Sequence, residues 1–203
     1  MMNEGGHADA ATRPQDLFAV MGLSRCLDVD LHALEATYHR LSREVHPDFH
    51  HQKPADERER WLAQSALVNK AYRTLRDFHS RVAYLVELEG GGTLKPKAPP
   101  ELLSEVLETQ ELLDECRAAG RLGGDDPLAV RLRHETERFR ERLERLESDL
   151  RARAQEWDLA AKTNGAGADD RRRLVAALQD LLAQRVYLRN LIEDIESVQA
   201  AVA

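Results

Sequence analysis

Apolar residues recur about every three to four positions along most of this chain, which is the spacing of an amphipathic α-helix. The pattern predicts one helix from Leu31 to about Val45 and another from about Ala55 to Arg76. Nowhere do apolar and polar residues alternate as they would in a half-buried strand. We therefore expect an all-α protein.

The first two predicted helices have apolar faces that can pack against each other. The face of the first helix consists of Leu34, Tyr38, Leu41 and Val45, and that of the second of Trp61, Ser65, Val68, Tyr72 and Leu75. These positions predict an antiparallel helical hairpin. Arg40 and Arg43 lie on the outer side of its first helix.

Three more helices are indicated in the second half of the chain, with breaks at Gly120–Pro127 and Thr163–Asp170. Asp125 or Asp126 suits the N-cap of the middle helix, with Pro127 in its first turn. The apolar seam of the middle helix is Leu128, Leu132, Phe139, Leu143, Leu146, Leu150 and Trp157, and that of the last helix is Leu174, Leu178, Leu181, Leu188, Ile192 and Ile195. Three helices with such seams predict an antiparallel bundle.

Composition divides the chain into a tail and two domains. Residues 1–13 contain no apolar stretch and are expected to form a disordered tail. Residues 89–100 are rich in Gly and Pro and fit no regular element, which predicts a linker. The two domains are then expected at 14–88 and 101–203.

Composition also excludes several classes of protein. The 203 residues carry a net charge of −7, which disfavours nucleic acid as the main partner. No stretch approaches the ~18 apolar residues of a membrane span, and the N-terminal residues resemble neither a secretory signal nor a transit peptide. Cys26 and Cys116 are far apart and form no CxxC motif, so we expect neither a zinc finger nor a disulfide framework. These features predict a cytoplasmic protein with no membrane partner.

The most informative motif is His46-Pro47-Asp48, which lies between the first two predicted helices. Pro47 disfavours a helical conformation at His46, so the tripeptide by itself is also explained as a polar turn that ends a helix. A helix, this tripeptide and a further helix together resemble a J-domain. The resemblance implies a module that triggers ATP hydrolysis in DnaK-type chaperones.

The histidines near this tripeptide suggest two other kinds of chemistry. His46, His50 and His51 offer imidazole ligands to a metal ion, but their spacing is short and a fourth ligand is not nearby in the sequence. Nothing around His46 and Asp48 supplies a nucleophile, an oxyanion hole or a phosphate cradle. We therefore expect no metal, no cofactor and no catalytic residue.

Among J-proteins, the chain resembles the HscB co-chaperones of iron–sulfur cluster assembly over about Asp16 to Ile195. The resemblance lies in Leu17–Leu23, Gln64–Asp77, Ser80–Gly90 and Pro99–Cys116. The cysteine-rich N-terminal extension of some eukaryotic members is absent, so the resemblance implies a bacterial-type protein. Three positions depart from the family, and one is Phe78, where the family tends to have proline. Phe49 stands where a basic residue usually follows the tripeptide, and Ser104 replaces a residue that is often methionine, which removes an apolar contact.

The helix that begins the second domain has more leucines than one face can bury. With Leu102 at 0° and about 100° per residue, Leu103 and Leu107 fall at about 100° and 140°, away from the predicted core side. Glu108 and Glu111 fall at about 240° and 180°. An apolar pair with an acidic rim indicates a partner site, and packing of the two leucines against the first domain is the alternative.

The resemblance implies two binding surfaces. A DnaK/HscA-type ATPase chaperone would bind His46, Pro47, Asp48, Arg40 and Arg43, although an ordinary solvated face is the alternative for the two arginines. An IscU-like iron–sulfur scaffold protein would bind Leu103, Leu107, Glu108, Glu111 and Tyr187.

We therefore expect a co-chaperone, rather than an enzyme, that stimulates the ATPase and delivers the scaffold to it. It would thereby promote cluster transfer and the maturation of iron–sulfur proteins. A J-domain co-chaperone with a different client would keep the ATPase stimulation but ignore the scaffold. A structural coiled-coil protein with an incidental tripeptide would show neither property.

Overall fold

A computed structural model of the protein describes residues 15–46, 53–92, 94–99, 102–163 and 167–202. Contacts divide the chain into two compact units, Met1–Arg81 and Val82–Ala203. All regular structure in the described ranges is helical, which confirms the all-α expectation. The helices are α1 (Leu17–Val20), α2 (Leu31–Glu44), α3 (Ala55–Arg76), α4 (Phe78–Leu88), α5 (Leu103–Ala119), α6 (Pro127–Thr163) and α7 (Ala168–Val202).

The predicted hairpin of the first unit is formed by α2 and α3. Its centre is a stack of Tyr38 on Tyr72, with ring centroids 4.2 Å apart. The Tyr38 hydroxyl donates a hydrogen bond to Asn69 Oδ1 at 2.9 Å, so the polar group of this partly buried side chain has a hydrogen-bond partner. Leu34 and Val68 are among the buried residues on the two facing sides. The apolar faces predicted from the periodicity are therefore the faces that pack.

A buried arginine connects separate parts of the first unit. Arg81 is only 5% exposed, and its Nε donates to the Leu27 carbonyl at 3.1 Å. Its Nη1 donates to the Leu75 carbonyl in the last turn of α3. Carbonyls at a helix C-terminus favour a cation, and the planar guanidinium can reach two of them at once. Arg81 thus joins the chain before α2 to the end of α3.

The second unit is built on the long α6–α7 pair, against which α5 packs. Most of the predicted seam residues are buried, which confirms the bundle. The main core cluster consists of Leu102, Leu112, Leu113, Cys116, Leu132, Phe139, Leu146, Leu188, Leu191, Ile192, Ile195, Val198 and Val202. α6 has 37 residues and α5 has 17. At a rise of about 1.5 Å per residue, α5 is less than half as long as α6.

Local sequence sets where α6 and α7 begin and end. The Asp126 side chain accepts from the backbone N–H of Leu128 at 2.9 Å, so Asp126 is the cap of α6 and Pro127 its first residue. The second predicted break is shorter than its polar sequence indicated, because α6 continues to Thr163 and α7 begins at Ala168. Acidic residues in the first turn of α7 favour this early start through the helix dipole.

Ion pairs between helices help to fix their register. The pair between Arg185 and Glu147, at 3.0 Å, is the most shielded of them, since the side chains are 13% and 24% exposed. Such pairs restrain how helices slide past each other more than they add stability. The pairs that connect different helices of the bundle include Arg138–Glu105, Arg140–Glu196 and Arg185–Glu147.

Two glycines end α4. Gly90 has a φ of 86°, and its N–H donates to the Glu87 carbonyl at 3.2 Å. The Gly91 N–H donates to the Val86 carbonyl at 2.8 Å. This pair of bonds is a Schellman motif, which satisfies carbonyls that a helix end otherwise leaves without partners.

The segment expected to be a linker follows α4 and lies against α7. Its described residues are not helical. We call residues 94–99 the strap. The Lys97 N–H donates to the Ala183 carbonyl at 3.2 Å, and Lys97 Nζ lies 2.8 Å from Asp180 Oδ1. The tail predicted at 1–13 lies outside the described residues, and the domain limits 14–88 and 101–203 stay predictions.

We predict that Gly91→Ala lowers the free energy of unfolding by about 2 kcal/mol, because a Cβ there would overlap the side chain of Val86 and lie 2.7 Å from its carbonyl oxygen. Gly92→Ala is the matched control, since its Cβ would meet nothing closer than 3.7 Å. Urea denaturation of the intact protein measures both. Equal stability of the two variants would show that the Schellman motif does not require glycine at 91.

Candidate partner-binding surfaces

The position of α2 determines which side chains of the first unit face solvent. Asp30 caps the helix, since its Oδ1 accepts from the backbone N–H groups of His32 and Ala33 at 2.9 and 3.1 Å. Leu34 and Val45 are buried. The opposite side of the helix is exposed, and we call His39, Arg40, Arg43 and His46 the docking face.

Both arginines of the docking face make short-range bonds within their own helix. Arg40 Nη1 bonds to Glu44 Oε1 at 3.1 Å, and Arg43 Nε donates to the His39 carbonyl at 3.1 Å. An exposed i,i+4 pair contributes only about 0.3–0.5 kcal/mol. Arg40 can therefore exchange Glu44 for a partner's carboxylate at little cost in free energy.

His46 follows directly after α2 and belongs to the same surface. Its backbone N–H donates to the Arg43 carbonyl at 3.4 Å, which continues the helical turn by one residue. A shallow depression of 420 Å³ is lined by His39, Ser42, Arg43 and His46. Pro47 and Asp48 lie outside the described residues, as do Phe49, His50 and His51. The structure thus brings Arg43 and His46 together and leaves the rest of the tripeptide as a prediction.

The second candidate surface lies on α5 and is formed by leucines that the bundle does not bury. Leu103 is 55% exposed and Leu107 is 66% exposed, whereas Leu102 and Leu113 are completely buried. This confirms the exposure that the helical wheel predicts. Ser104, Glu108 and Glu111 are exposed as well. We call Leu103, Leu107, Glu108 and Glu111 the leucine face.

The buried side of α5 explains why the leucine face remains outside. Cys116 belongs to the core, and its burial, more than nearby Glu115, raises the pKa of its thiol. Thr109 is also buried, and its hydroxyl donates to the Glu105 carbonyl one turn earlier at 2.7 Å. Sequence analysis did not identify Thr109 as a core residue because its hydroxyl is polar. Once this hydroxyl bonds to its own helix, the methyl group behaves as an apolar side chain.

Tyr187 on α7 is half-buried and packs against the core of the bundle. Burial raises the pKa of its phenol. A ring with one apolar side held by a core and a polar hydroxyl is a common anchor at protein interfaces. Its predicted contribution to the scaffold surface stays a prediction.

In the described ranges, no group of three or more His, Cys, Asp or Glu side chains is arranged to hold a metal ion. None of the helices described here combines the length and the apolar content needed to cross a membrane.

Two relatives among known proteins indicate the family of this chain. No family model matches it. It is 32% identical over 180 residues to the Co-chaperone protein HscB homolog of Ralstonia nicotianae, which covers 87% of this chain and 90% of that protein. It is 37% identical over 108 residues to the mouse (Mus musculus) Iron-sulfur cluster co-chaperone protein HscB, which covers 51% of this chain and 46% of that protein.

A solved structure agrees with these relatives. The chaperone HscB from Vibrio cholerae superimposes with a TM-score of 0.56 over 93% of this chain and 99% of that chain. At 21% sequence identity this likeness concerns the fold alone. Because the sequence match to a bacterial relative extends over nearly the whole of both chains, this chain belongs to the HscB family of co-chaperones.

Proposed function

We propose that this chain is an adapter that binds a DnaK/HscA-type ATPase chaperone through its first unit and an IscU-like iron–sulfur scaffold through its second. The observation that carries the proposal is the exposed leucine pair of α5 in a chain of the HscB family. The core of the second unit leaves these two leucines half exposed on one side of α5, four residues apart. Together with their carboxylates they have the composition of a partner site.

The docking face supports binding to an acidic partner. Arg40 and Arg43 are both exposed on one side of α2. Exposed arginines accelerate encounter with an acidic surface and form bidentate bonds to carboxylates once in contact. We propose that His46, Pro47 and Asp48 complete this contact and stimulate ATP hydrolysis in the chaperone. The chemistry of hydrolysis then belongs to the chaperone, and this chain acts by binding.

The leucine face supports binding to a partner with an apolar patch and basic neighbours. Full burial of a leucine side chain contributes about 1.5–3 kcal/mol, and Leu103 and Leu107 each have more than half of that surface still to bury. Glu108 and Glu111 would then face basic side chains of the scaffold at the rim. Tyr187 would add an aromatic anchor.

The presence of the two surfaces on one chain is what would make the protein a co-chaperone. A scaffold bound to the leucine face is brought to the chaperone by the docking face, which raises its effective concentration there. Stimulated hydrolysis would then act on a chaperone that already has the scaffold near it. We propose that this coupling promotes cluster transfer and the maturation of iron–sulfur proteins.

A J-domain co-chaperone with a different client is the second candidate. Ser104 favours it, because a serine stands beside Leu103 on the exposed side of α5 where the family often has methionine. The smaller and more polar side chain reduces the apolar area that a scaffold could cover. The two candidates share the docking face and differ only in what binds α5.

The double variant Leu103→Ala/Leu107→Ala should weaken scaffold binding about thirtyfold. Anchors at a true interface typically contribute more than about 1 kcal/mol each, and about 2 kcal/mol together corresponds to that factor. Isothermal titration calorimetry with an IscU-type scaffold measures the affinity, which we expect to be micromolar for the unaltered chain.

Leu159→Ala is the matched control, since Leu159 is 63% exposed on α6 of the same unit. We expect its scaffold affinity to stay within about twofold of the unaltered chain. If neither the unaltered chain nor the variants bind the scaffold, the J-domain co-chaperone with a different client becomes the favoured function. An equal loss in Leu159→Ala and in the double variant would remove α5 as the site.

The variant His46→Gln should abolish stimulation of the chaperone's ATPase and leave scaffold affinity unchanged, because the two surfaces lie on separate units. The steady-state rate of ATP hydrolysis and a calorimetric titration measure the two properties. His134→Gln serves as the control, because His134 is exposed on α6 and is far along the chain from the docking face. Loss of both properties in His46→Gln would contradict the two-surface proposal.

A further inference from the structure

The first turn of α5 is held without a side-chain cap, although the leucine face begins there. Its N-cap residue is Leu102, which makes no side-chain hydrogen bond. The first N–H groups of any helix lack partners inside the helix, so an uncapped first turn tends to fray. Leu103 is the first residue of α5 and Leu107 follows one turn later. Another feature must therefore hold this turn in place.

The strap supplies one such restraint, and the ion pair of Glu105 with Arg138 supplies another. The backbone N–H of Leu102 donates to the carbonyl of Pro99, the last residue of the strap, at 2.9 Å. Pro99 is buried, and Leu102 is completely buried in the core. The start of α5 is thus hydrogen-bonded to the end of the strap. Movement of the strap would move Leu102 and, with it, the leucine that follows.

The strap in turn is attached to α7 at Lys97. The Lys97 ammonium lies 2.8 Å from Asp180 Oδ1, and the other oxygen of Asp180 accepts from Gln184 Nε2 at 2.7 Å. The hydrogen bond to Lys97, with a smaller effect of Gln184, holds the pKa of the Asp180 carboxyl below its usual value, against the opposing effect of burial. The backbone N–H of Lys97 donates to Ala183 on the same helix.

We infer that Lys97 is a positioning residue for partner binding: its ion pair with Asp180 fixes the strap on α7 and thereby sets the first turn of α5 and the leucine face. The part of this inference that concerns affinity rests on the proposed scaffold function, whereas the part that concerns the order of α5 does not. The backbone bond from Lys97 to Ala183 involves no side-chain atom, so its donor and acceptor remain in Lys97→Glu and Lys97→Arg. The first variant replaces attraction to Asp180 with repulsion, and the second keeps the attraction.

Hydrogen–deuterium exchange and scaffold titration on Lys97→Glu test this inference. An exposed ion pair contributes up to about 1 kcal/mol, so we expect amide exchange at residues 102–107 to rise about fivefold and scaffold affinity to fall about fivefold. The melting temperature should fall by no more than about 4 °C, because the core residues are untouched. Lys97→Arg, which keeps the charge, should resemble the unaltered chain in all three measurements.

Two further variants separate positioning from a general effect of charge. Lys95→Glu makes the same charge change at an exposed site in the same strap, and should leave exchange at residues 102–107 unchanged. The double variant Lys97→Glu/Asp180→Lys restores an ion pair with the two charges exchanged. It should recover both slow amide exchange at residues 102–107 and the affinity for the scaffold.

The outcomes distinguish this inference from the proposed function. In one outcome, amide exchange is faster in Lys97→Glu and returns to its original rate in the double variant, but no form of the protein binds the scaffold. This outcome would support the strap's role and overturn the scaffold function. Unchanged exchange at residues 102–107 in Lys97→Glu would overturn the inference. Equal losses of affinity in Lys95→Glu and Lys97→Glu, without a change in exchange, would also overturn it.

Discussion

The packing of α5 on α6 and α7 is the constraint on which the second unit depends. A helix that lies against two others buries only part of its circumference. The buried side of α5 contains Leu102, Leu113 and Cys116, which belong to the core. Leucines elsewhere on α5 must then stay in water. The half-exposed Leu103 and Leu107 are the direct consequence. An exposed apolar surface thus follows from placing more leucines on a helix than its neighbours can cover.

The same constraint explains the contrast between the long and the short helices. α6 and α7 have 37 and 35 residues and share an apolar seam, so each stabilises the other along much of its length. α5 has 17 residues and begins at an uncapped turn. The ion pair of Glu105 with Arg138 and the strap at Lys97 and Asp180 restrain α5 from two sides. Such restraint would favour the proposed adapter function, since a frayed helix would lose entropy on binding its partner.

Local patterns in the sequence predicted the elements and the exposure of the leucine face. The apolar seams, the Asp126 cap and the outward position of Leu103 each depend on residues within a few positions of one another. The anchor of the strap could not be predicted, because Lys97 and Asp180 are separated by 83 residues and no local pattern couples them. The hydrogen bond from Arg81 to the Leu27 carbonyl could not be predicted either, because the two residues are 54 positions apart. Nor does the sequence alone determine how Tyr187 relates to the leucine face.

Single-turnover ATP hydrolysis would show whether this one chain couples a scaffold to an ATPase chaperone, as we propose. The rate would be measured with the chaperone alone, with this protein, with an IscU-type scaffold, and with both together. We predict that this protein and the scaffold together raise the hydrolysis rate by more than the product of the factors by which each raises it alone. The reason is that the proposed adapter brings the scaffold to the chaperone. A combined rate no greater than that with this protein alone would contradict the coupling.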